Sequence, residues 1–196
     1  MEDATGETLA HVPFWYLRHG ETDWNARGLS QGGTDIPLNP TGLAQARAAA
    51  NRLRHRGIVT IVSSPLTRAQ ETAEIVAQVL DLPVRFDPDL KEVAFGVQEG
   101  QPLADWFPDW VAGNRLPEGA ETFAGLRCRA IAAVNRCTAM TAPVLIVGHG
   151  AFFRALRSAM VLPELPRTPN AVPFWCEPHA KGESWDVVSS LQPAAA

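Results

Sequence analysis

Cysteine is scarce. The three in 196 residues, Cys128, Cys137 and Cys176, form no CxxC pair, and no histidine lies at zinc-site spacing from them. This excludes a disulfide framework and a thiolate metal centre. The thiols read as structural, and such usage suits a reducing cytoplasm. No apolar run approaches the ~20 residues of a membrane-spanning helix. Basic residues are not in excess either: the formal net charge is -4. That balance excludes the broad basic surface needed to coat nucleic acid or an anionic membrane, so an anionic ligand must be held in a local basic pocket. A Cys-x5-Arg loop, an HExxH or HxH cluster and a glycine-rich Walker loop are all missing. Neither a metal nor an organic cofactor is expected. The first residues, MEDATGETLA, are acidic and polar where a signal peptide is basic and then apolar. Residues 1–12 are expected to be a loose leader.

What is present describes a folded chain. Apolar residues make up 46% and charged residues 19%, the balance of a globular protein rather than a disordered one. The length suits one domain with a sizeable core, so residues 1–196 read as a single unit. Composition does not fix the oligomeric state, and a homodimer stays open. Short apolar runs alternate with longer helical patterns. That predicts an α/β three-layer sandwich: a mostly parallel central sheet with helices on both faces.

PFWYL (13–17) predicts the first strand, followed by a glycine-rich polar loop through GLSQGGTD. Asn39 and Pro40 open a helix that Gly57 stops, with Leu43, Ala46, Ala50 and Leu53 facing the core. IVTIV (58–62) is the next strand. Ser64 is expected to cap a helix opened by Pro65, and Val84–Phe86 is short and extended. Residues 87–120 lose periodicity and read as a cap over the site, with Trp106 and Trp110 more suited to packing than to stacking on a ligand. Glu121–Met140 is helical, VLIV (144–147) is a strand with a helix behind it, and the tail forms a hairpin around HAKGE.

Strand ends carry the functional signal. In parallel α/β sheets, ligands bind beyond the carboxyl ends of the strands. Two strands end in histidines, His19 and His149, each followed by glycine, and a third leads to a helix whose first turn holds Arg68. His19 and His149 are therefore expected to face each other across a phosphate-sized pocket. Neutral imidazole can attack phosphorus. Arg18 supplies a fork of donors for phosphate oxygens, and Gly20 allows close approach of a ligand. The structural alternative is a tight turn with incidental charges. Asp87-Pro88-Asp89 superficially matches the start of an aspartate phosphatase but is followed by Lys91, and reads as a turn.

The run Leu17-Arg18-His19-Gly20-Glu21-Thr22-Asp23-Trp24-Asn25 resembles the signature of the histidine phosphatase superfamily, the phosphoglycerate mutase-like family. Gln31-Gly32 with Asp35-Ile36-Pro37-Leu38, then Ser63-Ser64-Pro65-Leu66-Thr67-Arg68, then Leu90-Lys91-Glu92, and finally Val147-Gly148-His149-Gly150 resemble its further motifs in order. The resemblance spans roughly residues 13–190 and leans to the phosphatase branch. It implies hydrolysis of a small phosphorylated metabolite through a phosphohistidine on His19. Glu92 would be the general acid and base. Arg18, Arg68 and His149, with Asn25, Gln31 and Gly150, would surround the phosphoryl group. Glu99 would be a scaffold residue and Glu21 a loop-ordering one. A phosphoglycerate mutase-type transferase is the rival within the family, and a non-catalytic phosphate-binding protein the rival outside it. Pro117-Glu118-Gly119-Ala120-Glu121-Thr122 departs from the family's cap motif, which leaves the substrate contacts there open.

Overall fold

The strand Phe14–Arg18 (β1) is buried along its whole length. Its period-2 alternation divides the core: Phe14 and Tyr16 pack on one side of the sheet, Trp15 and Leu17 on the other. A computed structural model describes residues 8–103, 106–163, 167–179 and 184–191. After β1 come α1 (Asp23–Ala26), α2 (Pro40–Leu53), β2 (Thr60–Ser63), α3 (Thr67–Leu80) and β3 (Val84–Phe86). Then follow α4 (Trp106–Val111), α5 (Phe123–Thr138), β4 (Val144–Gly148), α6 (Gly150–Ala159), β5 (Pro173–Pro178) and β6 (Trp185–Ser189).

The sheet order is β3-β2-β4-β1-β5-β6. The four strands from β3 to β1 run parallel, and the tail hairpin β5–β6 adds antiparallel to the edge of β1. Helices α2 and α3 cover one face through Ala49, Ala50, Leu53, Ala69, Ala73 and Val76. Helices α5 and α6 cover the other through Leu126, Ala130, Val134, Phe152 and Leu156. This is the expected three-layer α/β sandwich. β1 and β4 are neighbours, yet the chain leaves β1 toward the α2 layer and leaves β4 toward the α6 layer. A crevice opens where adjacent strands part in this way.

Several local expectations are corrected. Residues 8–12 are not loose: Leu9 is buried, Ala10 N–H donates to Asn135 on α5, and Asn135 donates back to the Thr8 carbonyl. The first seven residues of the expected leader lie outside the described residues, as do residues 180–183 of the hairpin turn. Ser64 does not cap α3. That helix begins at Thr67 after Leu66, which has no side-chain cap; the Ser64 hydroxyl accepts from Leu66 N–H at 3.3 Å, ahead of the helix, and its other contact is described below. Leu43 is half-buried, and Ala49 takes the core position instead. The expected loop after β1 contains the short helix α1, closed by a reciprocal capping box between Thr22 and Asn25.

The cap region is irregular but structured. It holds single 3₁₀ turns at Pro88–Leu90 and Gly96–Gln98 and the helix α4. Trp106, Trp110 and Phe95 are buried in a cluster of edge-on and tilted rings with the half-buried Phe107 and Phe123. Asp87 and Asp89 form a turn clamped by Arg136 at 3.0 and 2.7 Å. Among the described residues no helix is long and apolar enough to cross a membrane.

Candidate active site

β1 and β4 pair in parallel with Arg18 opposite Gly148, so the next residues, His19 and His149, emerge side by side. Their ring centroids are 5.3 Å apart. Both are almost completely buried. His19 N–H continues the ladder by donating to the Gly148 carbonyl. Its ring Nδ1 lies 2.6 Å from the Gly20 carbonyl oxygen. A carbonyl can only accept, so Nδ1 carries the proton, and the lone pair of the neutral ring sits on Nε2. Burial, then Arg68 and Arg18, push the His19 pKa well below its usual value, and burial, then Arg68, do the same for His149. Both rings are neutral at physiological pH.

His149 is held from two sides. Its backbone N–H donates to the Tyr16 hydroxyl, which donates in turn to the His149 carbonyl, both at 2.8 Å. Its ring Nε2 lies 2.8 Å from the Ser64 hydroxyl, which also accepts from Leu66 N–H.

The two arginines are fixed by backbone carbonyls. Arg68, fully buried in the first turn of α3, donates to the Gly32 and Thr34 carbonyls at 2.8 and 2.9 Å. Arg18 donates to the Thr168 carbonyl. Burial, then the nearby Arg167, brings its pKa down to about 10, which still leaves it charged at neutral pH. Arg18 Nε, Arg68 Nε and His149 Nδ1 are buried without a protein partner among the described residues. Buried donors of this kind are costly unless something accepts from them; an anion in the crevice would do so for Arg18 and Arg68, which line it, whereas the fully buried His149 does not line it.

Asn25 and Gln31 turn their oxygens inward, to Thr22 and Asn170 for the first and to Thr22 for the second. Their amide NH2 groups are thereby left as donors. Glu92 reaches the start of α6: one oxygen accepts from Ala151 N–H at 3.0 Å, the other from Phe152 and Val93 N–H. A carboxylate has about four lone-pair directions, so the oxygen bonded to Ala151 keeps one for a proton. Glu99 accepts from Gly33, Thr34 and Phe95 N–H and braces the loop that carries Arg68's carbonyl partners. Glu21 accepts from Asn39 at the head of α2.

Arg18, His19, Asn25, Gln31, Arg68, Glu92 and Gly150 line one cavity of about 470 Å³. Gly150 packs against Arg18: a Cβ there would lie 3.4 Å from Arg18 Nε. Gly20 serves a different purpose from the one expected. A Cβ on it would meet the Gly42 carbonyl at 2.5 Å, so it lets α2 approach β1 rather than a ligand. Sequence reasoning missed Ser64 and Tyr16 as partners of His149, and it missed the segment after α6. There Arg167 and Thr168 line the cavity, and Asn170 bridges the His19 carbonyl and the Asn25 side chain. No motif marks that segment. The single tyrosine in an otherwise apolar strand was the available signal for Tyr16.

The family model for the histidine phosphatase superfamily (branch 1) matches residues 14–185. A probable phosphoglycerate mutase of Yersinia pestis (strain Pestoides F) is 38% identical over 159 residues, covering 75% of this chain and 74% of that protein. Among solved structures, a mycobacterial hydrolase superimposes with a TM-score of 0.78 at 30% identity, covering 90% of this chain and 96% of that one. Mycobacterial glucosyl-3-phosphoglycerate phosphatase in complex with VO3 gives a TM-score of 0.77 at 30% identity, covering 90% and 97%. The fold, the paired strand-end histidines and these matches agree: the chain belongs to the histidine phosphatase superfamily, branch 1.

Proposed function

We propose that the protein is a metal-independent phosphomonoesterase that acts on a small phosphorylated metabolite through a phosphohistidine on His19. The observation that carries this reading is the Nδ1–Gly20 hydrogen bond, which leaves Nε2 as the nucleophilic nitrogen of a ring kept neutral by burial and two arginines. Nε2 attacks phosphorus and the ester P–O bond breaks. The departing oxygen takes a proton from the free direction of Glu92. Glu92 then takes a proton from water as that water attacks phosphorus, and cleavage of the P–N bond restores His19. Through both steps, negative charge on the equatorial oxygens meets Arg18, Arg68 and the Asn25 and Gln31 amides. A Ser64 hydroxyl that donates to His149 Nε2 sets the proton on Nδ1, making that nitrogen a further donor.

A mutase-type reading draws on the Yersinia relative's name. One experiment separates these readings. The protein is incubated with phosphate monoesters, phosphoglycerates included, in excess EDTA, and free phosphate and isomerised ester are both measured. Free phosphate that disappears in His19→Ala, with the fold verified by circular dichroism, supports the phosphatase. Interconversion without phosphate release supports a mutase, and neither product refutes both.

A further inference from the structure

The cavity is far larger than a phosphoryl group, and its lining is of two kinds. One part of the lining is His19, Arg18 and Arg68, with the fully buried His149 beside His19 but not lining the cavity. Another part is apolar, from the loop after α1 and from the cap: Leu29, Phe95, Leu103, Phe107 and Pro108, beside the cationic Arg154 and Arg167. These side chains offer no neutral hydrogen-bonding group. Ser30 also lines the cavity, but its hydroxyl donates to the Gln98 and Gln101 carbonyls. Against the apolar part of this wall a sugar or polyol would lose water from its hydroxyls without a neutral partner in exchange, which is unfavourable.

The wall is also held in place. Phe95 packs edge-on against Trp106 and Trp110, at 5.2 and 5.3 Å between ring centroids. Phe107 packs on the same two tryptophans at 5.6 and 5.4 Å. Neither tryptophan lines the cavity; both back the rings that do. The Arg154 guanidinium lies 5.4 Å from the Phe107 ring centroid. Leu29 is pinned by a β-bridge to Pro102. An apolar surface fixed in advance binds an apolar group without an ordering cost.

From this we infer that the alcohol half of the substrate is apolar and of ring size: the protein selects phosphate monoesters of hydrocarbon or aromatic alcohols over those of polyols and sugars. The inference rests on the phosphomonoesterase reading, and the test separates the two. The probes are 2-phenylethyl phosphate and glycerol 3-phosphate. Both are esters of primary alcohols, and glycerol is the better leaving group, so leaving-group chemistry alone favours the polyol. Burying a phenyl ring against the wall should instead raise kcat/KM for the phenylethyl ester about tenfold or more. Leu29→Ser and Phe107→Ser should each shrink that ratio. Because the ratio is taken within one preparation, partial misfolding does not mimic the effect.

A second arm measures binding of the matched phosphonates, 3-phenylpropylphosphonate and 3,4-dihydroxybutylphosphonate, by calorimetry. Tighter binding of the phenyl compound without any ester turnover would keep the inference and refute the phosphatase. Equal or better use of glycerol phosphate, or equal binding of the two phosphonates, would overturn the inference and leave the phosphatase standing.

Discussion

Replacing Tyr16 by phenylalanine removes one oxygen atom, and the structure says what that oxygen holds. The hydroxyl accepts from the His149 N–H and donates to the His149 carbonyl, each at 2.8 Å. Burial first, then Glu92, raises the phenol pKa well above its usual value, so the donor is always present. In Tyr16→Phe the carbonyl keeps its bond from Phe153 N–H at 3.2 Å, but the His149 N–H has no other protein partner among the described residues. A buried orphaned N–H costs about 1–3 kcal/mol, and the second lost bond about 1 kcal/mol more. The expected loss is about 2–4 kcal/mol. In a chain of this size that lowers Tm by roughly 5–15 °C. Urea unfolding followed by tryptophan fluorescence measures the free energy. With His149 less firmly held, kcat should also fall by about tenfold, below the ~10²–10³ typical of deleting a transition-state donor outright. A loss under about 0.5 kcal/mol with unchanged kcat would refute the claim that Tyr16 positions His149.

Arg68→Lys keeps the charge but loses the fork that spans the Gly32 and Thr34 carbonyls. It should lower kcat about 10²-fold and stability by about 1–3 kcal/mol, while near-normal turnover would place Arg68 outside the reaction. Stability should also depend on pH with a defined sign. His19 and His149 have pKa values below those of the unfolded chain, about 6.5, so the unfolded state binds more protons in acid. Their contribution is complete above about pH 6.5 and is lost as pH falls toward the folded values, by up to ~1.4 kcal/mol per unit for each histidine. Urea midpoints between pH 7 and 5 should show this, and His19→Ala/His149→Ala should flatten the slope; an equally steep slope in the double variant would contradict the reasoning.

The layer architecture was legible because the central strands β1, β2 and β4 are short, largely apolar runs buried between the helix layers, and each long helix has a 3.6-residue apolar stripe. Asn39 and Pro40 open α2 as their chemistry predicts. The strand-end histidines were legible for the same reason, since β1 and β4 stop where apolar residues give way to Arg18-His19-Gly20 and His149-Gly150. Contacts that depend on long-range geometry were not. Ser64 reads locally as a helix cap, and only the sheet order brings it to His149 from 85 residues away. Gly20 reads as a ligand-facing glycine until the packing of α2 shows what fills its missing Cβ. Asn170 and the Thr168 carbonyl follow no periodic pattern, because their work is to accept from and donate to groups across the crevice.

The central claim is that His19 Nε2 forms a bond to phosphorus, and the phosphoryl group itself can be located. Glu92→Gln should slow the second step, where a base must activate water, more than the first step with a good leaving group such as p-nitrophenolate. Mixed with p-nitrophenyl phosphate and quenched in alkali, this variant should show a burst of nitrophenol and accumulate a phosphohistidine that survives alkali and is lost in acid. Proton–phosphorus correlation NMR on the digested peptide should place phosphorus on Nε2 of His19. Phosphorus on Nδ1, on His149, or on no histidine at all would contradict the account.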